Sequence, residues 1–272
     1  MPQLSDSGEA LAEKAFSKQS PVFDALDRED TIVRYKRWRV RTHFMQYLYG
    51  NSHILELNAG TGEDAVFFAG QGHRIHATDI SSGMLTVLEK KIQDSGLEAS
   101  ISYEKCSYTA LSELSGKGPY DAVFSNFAGL NCTDQLEKVL HSLYPLVKQQ
   151  GIITLVLLPK FCLWEFLLLF KGKLKTALRR FSGKKGAVAH IEGIHFRCWY
   201  YNPSYVKKIM KKDYTHLLTE GLCVFVPPSY ISSFANKYPH LFVYLQNLEA
   251  SMRKIWPFRS IGDYYIISFR KK

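Results

Sequence analysis

The chain has 272 residues, 46% of them hydrophobic and 22% charged, with a formal net charge of +10 at pH 7. That apolar share supports a sizeable core and excludes a globally disordered chain, while the length suits one large domain with insertions or two small ones. Five widely spaced cysteines (Cys106, Cys132, Cys162, Cys198, Cys223), with no CxxC pair and no Cys/His cluster, argue against a disulfide framework or a zinc site and for a reducing compartment.

Residues 1–20 read as a polar, frayed lead-in, without the basic-then-apolar order of a secretory signal. Helical spacing follows over 30–49 (Ile32, Tyr35, Trp38, Thr42, Met45). Strands and helices then alternate: strand 52–58, helix 63–72, strand 73–79, helix 81–96, strands 99–106 and 120–126, helix 132–151, strand 152–158. Such alternation predicts βαβ units, a parallel sheet and helices on both faces. The near-continuous apolar runs at 54–57 and 152–158 fit strands covered on both sides. After Pro159 comes an insertion, 160–202, then helix 203–213, strand 215–227, a second insertion over 228–261 and a final strand, 263–272. The expected organisation is a helical cap (1–48), a core (49–159 and 203–272, carrying the 228–261 insertion) and a basic aromatic cap (160–202).

Residues 54–62 read ILELNAGTG. A strand that ends in an acid, a glycine-rich turn and a helix make a cofactor cradle, because glycines adopt turn dihedrals that side chains resist and let backbone approach a ligand. Asp79, ending the next strand, can take two ribose hydroxyls. A dinucleotide remains an alternative on these residues, since GTGEDA also fits Gly-x-Gly-x-x-Ala.

With these residues in view, the chain resembles the class I S-adenosylmethionine-dependent methyltransferases. ELNAGTGEDA is similar to their first motif and TDIS followed by GML to their second. YDAVFSNFAGLN resembles the segment lining the methyl-donor pocket, and LVKQQGIITLVLL their hairpin into the fifth strand. The resemblance implies an α/β fold: a doubly wound, Rossmann-like, seven-stranded, mostly parallel sheet with an antiparallel last strand, plus helical or irregular cap insertions. It implies S-adenosyl-L-methionine as cofactor, S-adenosyl-L-homocysteine as product, and no metal. Glu56 would reach the cofactor's amino-acid end, Gly60 and Gly62 would let the methionine lie on backbone, and Asp79 would hold the ribose. Ile80 would pack on adenine, and Asn126 and Phe127 would lie near the methionine. Two positions depart from the pattern. Ser107 stands where many members place an Asp that bonds the adenine amino group. Asn58 replaces the first glycine. Asn tolerates left-handed backbone better than other side chains, so Asn58→Gly is expected to change binding little.

Acceptor-side residues are expected outside the common sheet: Tyr35 and Arg39 on the first helix, Asn131 after the fourth strand, and His195, Tyr200 and Tyr201 in the insertion. His195 is the weak candidate for a base, by the ordinary pKa of imidazole. The segment 160–185 carries eight Lys and Arg against Glu165 alone. Leu163, Phe166, Leu167, Phe170, Leu174, Leu178 and Phe181 recur there at helical spacing, with a break at Gly172. Two readings stay open for it: a cap over the site with a cationic wet face, or an interfacial helix resting on anionic membrane. With no apolar run of about 20 residues, a cytoplasmic protein is expected, peripheral to membrane on the second reading. The function expected is transfer of a methyl group, by in-line displacement, to a small apolar or aromatic acceptor, with O-methylation favoured. An NAD(P)-dependent oxidoreductase, an RNA methyltransferase and a non-catalytic cofactor-binding module are the alternatives. Nucleic acid is the weakest partner, as no RNA-binding module is visible.

Overall fold

The computed structural model describes residues 8–231 and 233–272. Residues 1–7 of the expected lead-in, Ser232 of the second insertion and the side chains of Asp27 and of Lys171 in the basic segment lie outside the described residues.

Two helices, α1 (Gly8–Glu29) and α2 (Thr31–Met45), precede the sheet. There follow β1 (His53–Leu57), α3 (Glu63–Gly70), β2 (Arg74–Asp79), α4 (Ser82–Ser95), β3 (Ile101–Lys105), β4 (Tyr120–Ser125), α5 (Leu136–Ser142) and β5 (Val147–Leu157). The first insertion holds two short helices, α6 (Leu163–Leu167) and α7 (Leu174–Leu178), and a hairpin of β6 (Ala187–Ile191) and β7 (Ile194–Cys198). Then come α8 (Pro203–Met210), β8 (Tyr214–Leu222), α9 (Ser233–Lys237), α10 (Pro239–Met252) and β9 (Tyr264–Lys271). The seven-stranded sheet runs β3-β2-β1-β4-β5-β9-β8. Strands β1 to β5 pair in parallel, and β9 is antiparallel to both β5 and β8. This is the doubly wound, mostly parallel sheet that the sequence implies. Because the order reverses beside β1, the loops after β1 and β4 part there and leave a crevice at the carboxyl ends of the strands.

Strand alternation fills two cores. Ile54, Ala122, Phe124 and Ile152 face α2 and α3, where Phe124 meets Phe44 at 4.7 Å and Phe68 at 5.1 Å between ring centroids. Leu55, Leu57, Val123, Ile153 and Leu155 face α5 and α8 through Leu136, Val139, Leu140, Val206 and Met210. Removing a fully buried ring such as Phe124 costs about 3–5 kcal/mol.

Three expectations change, and the break at Gly172 holds. The lead-in is helical from Gly8: Ala12, Ala15 and Phe16 form an apolar stripe, with Phe16 against Phe196 of β7. The helix expected over 132–151 is confined to Leu136–Ser142. Pro145 lacks the N–H that a continuing helix needs, and Val147 already pairs with Tyr120 of β4. Strand β8 ends at Leu222 rather than running to 227, because the N–H groups of Cys223 to Val226 turn inward onto Glu249 of α10. The amphipathic stretch 163–181 is two helices rather than one, broken at Gly172 with φ +72° as the spacing suggested.

Candidate functional site

The turn after β1 contains three left-handed residues: Asn58 (φ 46°), Gly60 (φ 57°) and Gly62 (φ 76°). Each glycine is required for a different reason. A Cβ on Gly62 would lie 2.0 Å from Leu88 Cδ1, so Gly62 seats the start of α3 against α4. Gly60 faces open space, and its N–H donates to Asp79 Oδ2 at 2.9 Å. Asn58 takes the strained backbone and also latches two strands. Its Oδ1 accepts from Ser125 Oγ at 2.6 Å, and its Nδ2 donates to the Asn126 carbonyl at 2.8 Å. Gly129 packs on it so closely that a Cβ there would sit 2.4 Å from Asn58 Cγ.

Three carboxyl groups and two arginines set the electrostatics. Asp79 accepts from Gly60 N–H and, at 2.8 Å, from Ser81 N–H, one on each oxygen. A carboxylate offers about four acceptor sites, so capacity remains for ribose hydroxyls. Burial raises its pKa despite those bonds. Glu56 is 2% exposed, and its Oε2 has no hydrogen-bond partner among the described residues. Burial first, then the neighbouring Asp64 charge, pushes its pKa well above the usual carboxylate range. Asp64 itself is held ionised: burial opposes this, but Arg37 (2.7 Å) and Arg41 (2.6 Å) outweigh burial, and Asn126 Nδ2 adds a bond at 2.8 Å. Arg37 also stacks 4.6 Å from the Phe127 ring.

Helix α1 roofs this crevice. Glu9, Ala12, Phe16 and Phe23 line it, opposite Glu56, Asn58, Gly60, Asp79, Ile80, Met84, Tyr108, Asn126 and Phe127, and the cleft holds about 820 Å³ including its open mouth. Polar ties fasten the roof. Ser107 Oγ and Thr109 Oγ1 donate to Glu9 Oε2, Ser17 and Ser81 hydroxyls meet at 2.8 Å, and Thr61 Oγ1 donates to Asp24 at 2.6 Å. Lys91 bridges Asp24 and Glu63.

Of the nine cofactor candidates, Glu56, Asn58, Gly60, Asp79, Ile80, Asn126 and Phe127 line the cleft, whereas Gly62 and Ser107 do not. The six acceptor-side candidates do not line it. Tyr35 is buried against Phe242 and donates to Glu249 Oε1 at 3.0 Å; Arg39 is buried on Glu220 at 2.9 Å. Asn131 is fully buried and ties the backbone of Leu158 and Trp199. His195 is exposed on β7, its ring 4.5 Å from that of His190. Tyr200 lies under Arg180, and Tyr201 donates to the Thr133 carbonyl.

The cleft also has residues that the sequence reading passed over: Glu9, Phe16 and Phe23 of α1, Arg37, Asp64 and Tyr108. Arg37 and Arg41 were legible as an i, i+4 pair on one helix face. Cys162, Glu165 and Asp263 are the one set of three metal-ligand types found close together among the described residues. Glu165 there carries Arg179 and Arg180, and Arg180 also reaches Asp263 at 2.6 Å. The set is therefore an ion-pair network.

The sheet order, with β9 antiparallel to its neighbours, is that of the class I S-adenosylmethionine-dependent methyltransferase fold. The residues fit that cofactor: an unpartnered buried carboxylate oxygen and Arg37 suit an amino-acid zwitterion, Asp79 a ribose, and the apolar end an adenine. Residues 54–151 match a family model described as a methyltransferase domain. Residues 54–151 thus carry a methyltransferase domain, on the fold of the class I S-adenosylmethionine-dependent methyltransferases. Among curated proteins it is similar to demethylmenaquinone methyltransferase of Bacteroides fragilis, 26% identical over 146 residues, covering 53% of this chain and 58% of that one. It is also similar to the ubiquinone/menaquinone biosynthesis C-methyltransferase UbiE of Proteus mirabilis, 24% identical over 150 residues, covering 54% and 58%. The chain thus spans less than two thirds of the length of these relatives. Among solved structures, Burkholderia thailandensis 1,6-didemethyltoxoflavin-N1-methyltransferase, with S-adenosylhomocysteine bound, superposes with a TM-score of 0.56 at 15% identity, covering 97% of this chain and 88% of that one. At that identity the likeness is one of fold.

Proposed function

We propose that the protein transfers the methyl group of S-adenosylmethionine to a small, flat, apolar acceptor of the quinol kind. The observation that carries this is the cleft itself: Glu56 Oε2 is buried without a partner beside Gly60 and Asp79, under a roof of phenylalanines. When bound, S-adenosylmethionine supplies an electrophilic methyl group on a sulfonium. The chain's part is to hold and to dry. Glu56 takes the ammonium of the methionine end, Arg37 its carboxylate, and Asp79 the ribose hydroxyls. Phe16, Phe23 and Phe127 exclude water, which sharpens alignment and protects the reacting atoms. The relatives named above act, by their names, on demethylmenaquinone or as a C-methyltransferase. The second name favours a carbon over the oxygen that the sequence reading preferred. The test is calorimetry with S-adenosylhomocysteine, followed by turnover of methyl-labelled donor on a panel of quinols and phenols, with NMR to place the methyl. No binding at millimolar ligand removes the reading, and a methyl found on oxygen reverses the choice of atom.

The same reading places the acceptor at a membrane surface. No described helix is long and apolar enough to cross a bilayer. The first insertion, however, exposes Phe170 (84%), Leu174 (60%), Leu178 and Phe181 among Lys173, Lys175, Lys184 and Lys185. It leaves from the carboxyl end of β5 and is tied by Leu163 N–H to Ile261, just before β9. That is the rim of the sheet on which the cleft opens. Exposed aromatic and leucine side chains ringed by lysine suit the interface of an anionic bilayer. Flotation should recover the protein with anionic vesicles and much less with neutral ones. Equal recovery removes the electrostatic part, and unchanged recovery of Phe170→Glu removes the apolar part.

A further inference from the structure

The cleft has two chemically distinct ends. Glu56, Arg37, Asp64 and Asn126 make a charged end beside β1 and β4. Across Asp79, beyond the end of β2, the lining turns apolar: Ile80, Met84 and Tyr108, with Ala12 and Phe16 from the roof. A flat base fits there, but apolar walls accept any base of that size and give little discrimination. The acid at this end is Glu9 of α1. Its Oε2 receives Ser107 Oγ at 2.5 Å and Thr109 Oγ1 at 3.1 Å, and the two hydroxyls also meet each other at 2.8 Å. Both bonds fall on one oxygen, and Oε1 has no hydrogen-bond partner among the described residues. A carboxylate held by two hydroxyls, with its second oxygen available in a ligand cleft, is an acceptor waiting for an N–H donor.

We propose that Glu9, brought by the roof helix rather than by the sheet, is the residue that reads the base of the cofactor. It accepts a hydrogen bond from the exocyclic 6-amino group of adenine, and Ser107 and Thr109 are its positioning residues. This rests on the S-adenosylmethionine reading of the cleft. A 6-oxo purine presents an acceptor at that position, and two acceptors facing each other in a dry site repel. The base is therefore read only when α1 is docked, so the roof selects the ligand as well as covering it.

The experiment is calorimetry with S-adenosylhomocysteine and S-inosylhomocysteine, which carries a 6-oxo group, on the unmodified protein, Glu9→Gln and Ser107→Ala. The unmodified protein should prefer the adenine ligand by about 30-fold or more. Glu9→Gln, whose amide both donates and accepts, should bring the two ligands to within about threefold, and Ser107→Ala should narrow the gap by about three- to tenfold. Two results overturn the proposal: an unmodified protein that binds both ligands alike, or variants that weaken both equally and keep the ratio. The second would make Glu9 only a tether for α1. Failure of the unmodified protein to bind either ligand would instead remove the cofactor reading itself. If Glu9→Gln does not fold, the ratio in Ser107→Ala decides.

Discussion

Two buried glutamates, Glu56 in the first half of the sheet and Glu249 in the second insertion, divide the molecule by what they are left to do. Burial raises the pKa of both. Glu249 is saturated: four backbone N–H groups from Cys223 to Val226 and the Tyr35 hydroxyl all point at it. Glu56 keeps an oxygen without a partner, next to an open cleft. The same contrast holds around them. In the second half, Glu165 is spent on Arg179 and Arg180, and Glu220 on Arg39 and Arg253. A buried acid fully supplied with donors stabilises a fold, whereas one short of donors is a place for a ligand to bring them.

The largest effect should come from the saturated member. Glu249→Ala strands four N–H groups and a phenol, and it should lower unfolding free energy by at least about 3 kcal/mol in urea titration, with cofactor affinity of the folded fraction unchanged. Glu56→Gln should do the opposite: a loss of about 10- to 100-fold in S-adenosylhomocysteine affinity by calorimetry, with stability equal to or above that of the parent. If Glu56→Gln unfolds the protein and spares binding, the division fails. A smaller effect is expected at Asn58. Its side chain latches β1 to β4, so Asn58→Gly should weaken binding by about five- to 30-fold through two lost hydrogen bonds, against the sequence expectation of little change. A twofold effect would return the residue to the role of a tolerated turn former. The smallest effect is a protonic one. The raised pKa means that free Glu56 holds its proton to higher pH than an unfolded carboxyl, and an arriving ammonium favours the ionised form. Binding should therefore release protons and tighten as pH rises through that pKa, by up to about tenfold per pH unit. Calorimetry in buffers of different ionisation enthalpy reads the release, and Glu56→Gln should abolish it.

What could be read in the sequence was local. The turn, the acid ending β2 and the alternation of strands and helices each declare themselves within a few residues, and the sheet follows from them. The rest depended on partners far along the chain. Tyr35 and Arg39 looked like acceptor contacts because they sit on a helix outside the common sheet. Their partners Glu249 and Glu220, 214 and 181 residues away, draw them into the core instead. Helix α1 hid for the same reason: Ala12, Ala15 and Phe16 make a thin stripe, and Phe196, which completes its packing, lies on an insertion with no periodic signal. Pro145 was legible and misjudged. It marks where α5 had to stop.

The ties of α1 to Ser81, Thr61, Ser107 and Lys91 have a temporal consequence. They grip the segments after β1, β2 and β3 and helix α4, so, on the proposed function, a small molecule held beneath would leave by way of a local opening of the roof. Such openings have their own free energy, set by the bonds broken. The tempo of successive turnovers then belongs to a helix that carries out none of the chemistry. Amide hydrogen exchange in α1 and the dissociation rate of the spent cofactor become two readings of one clock.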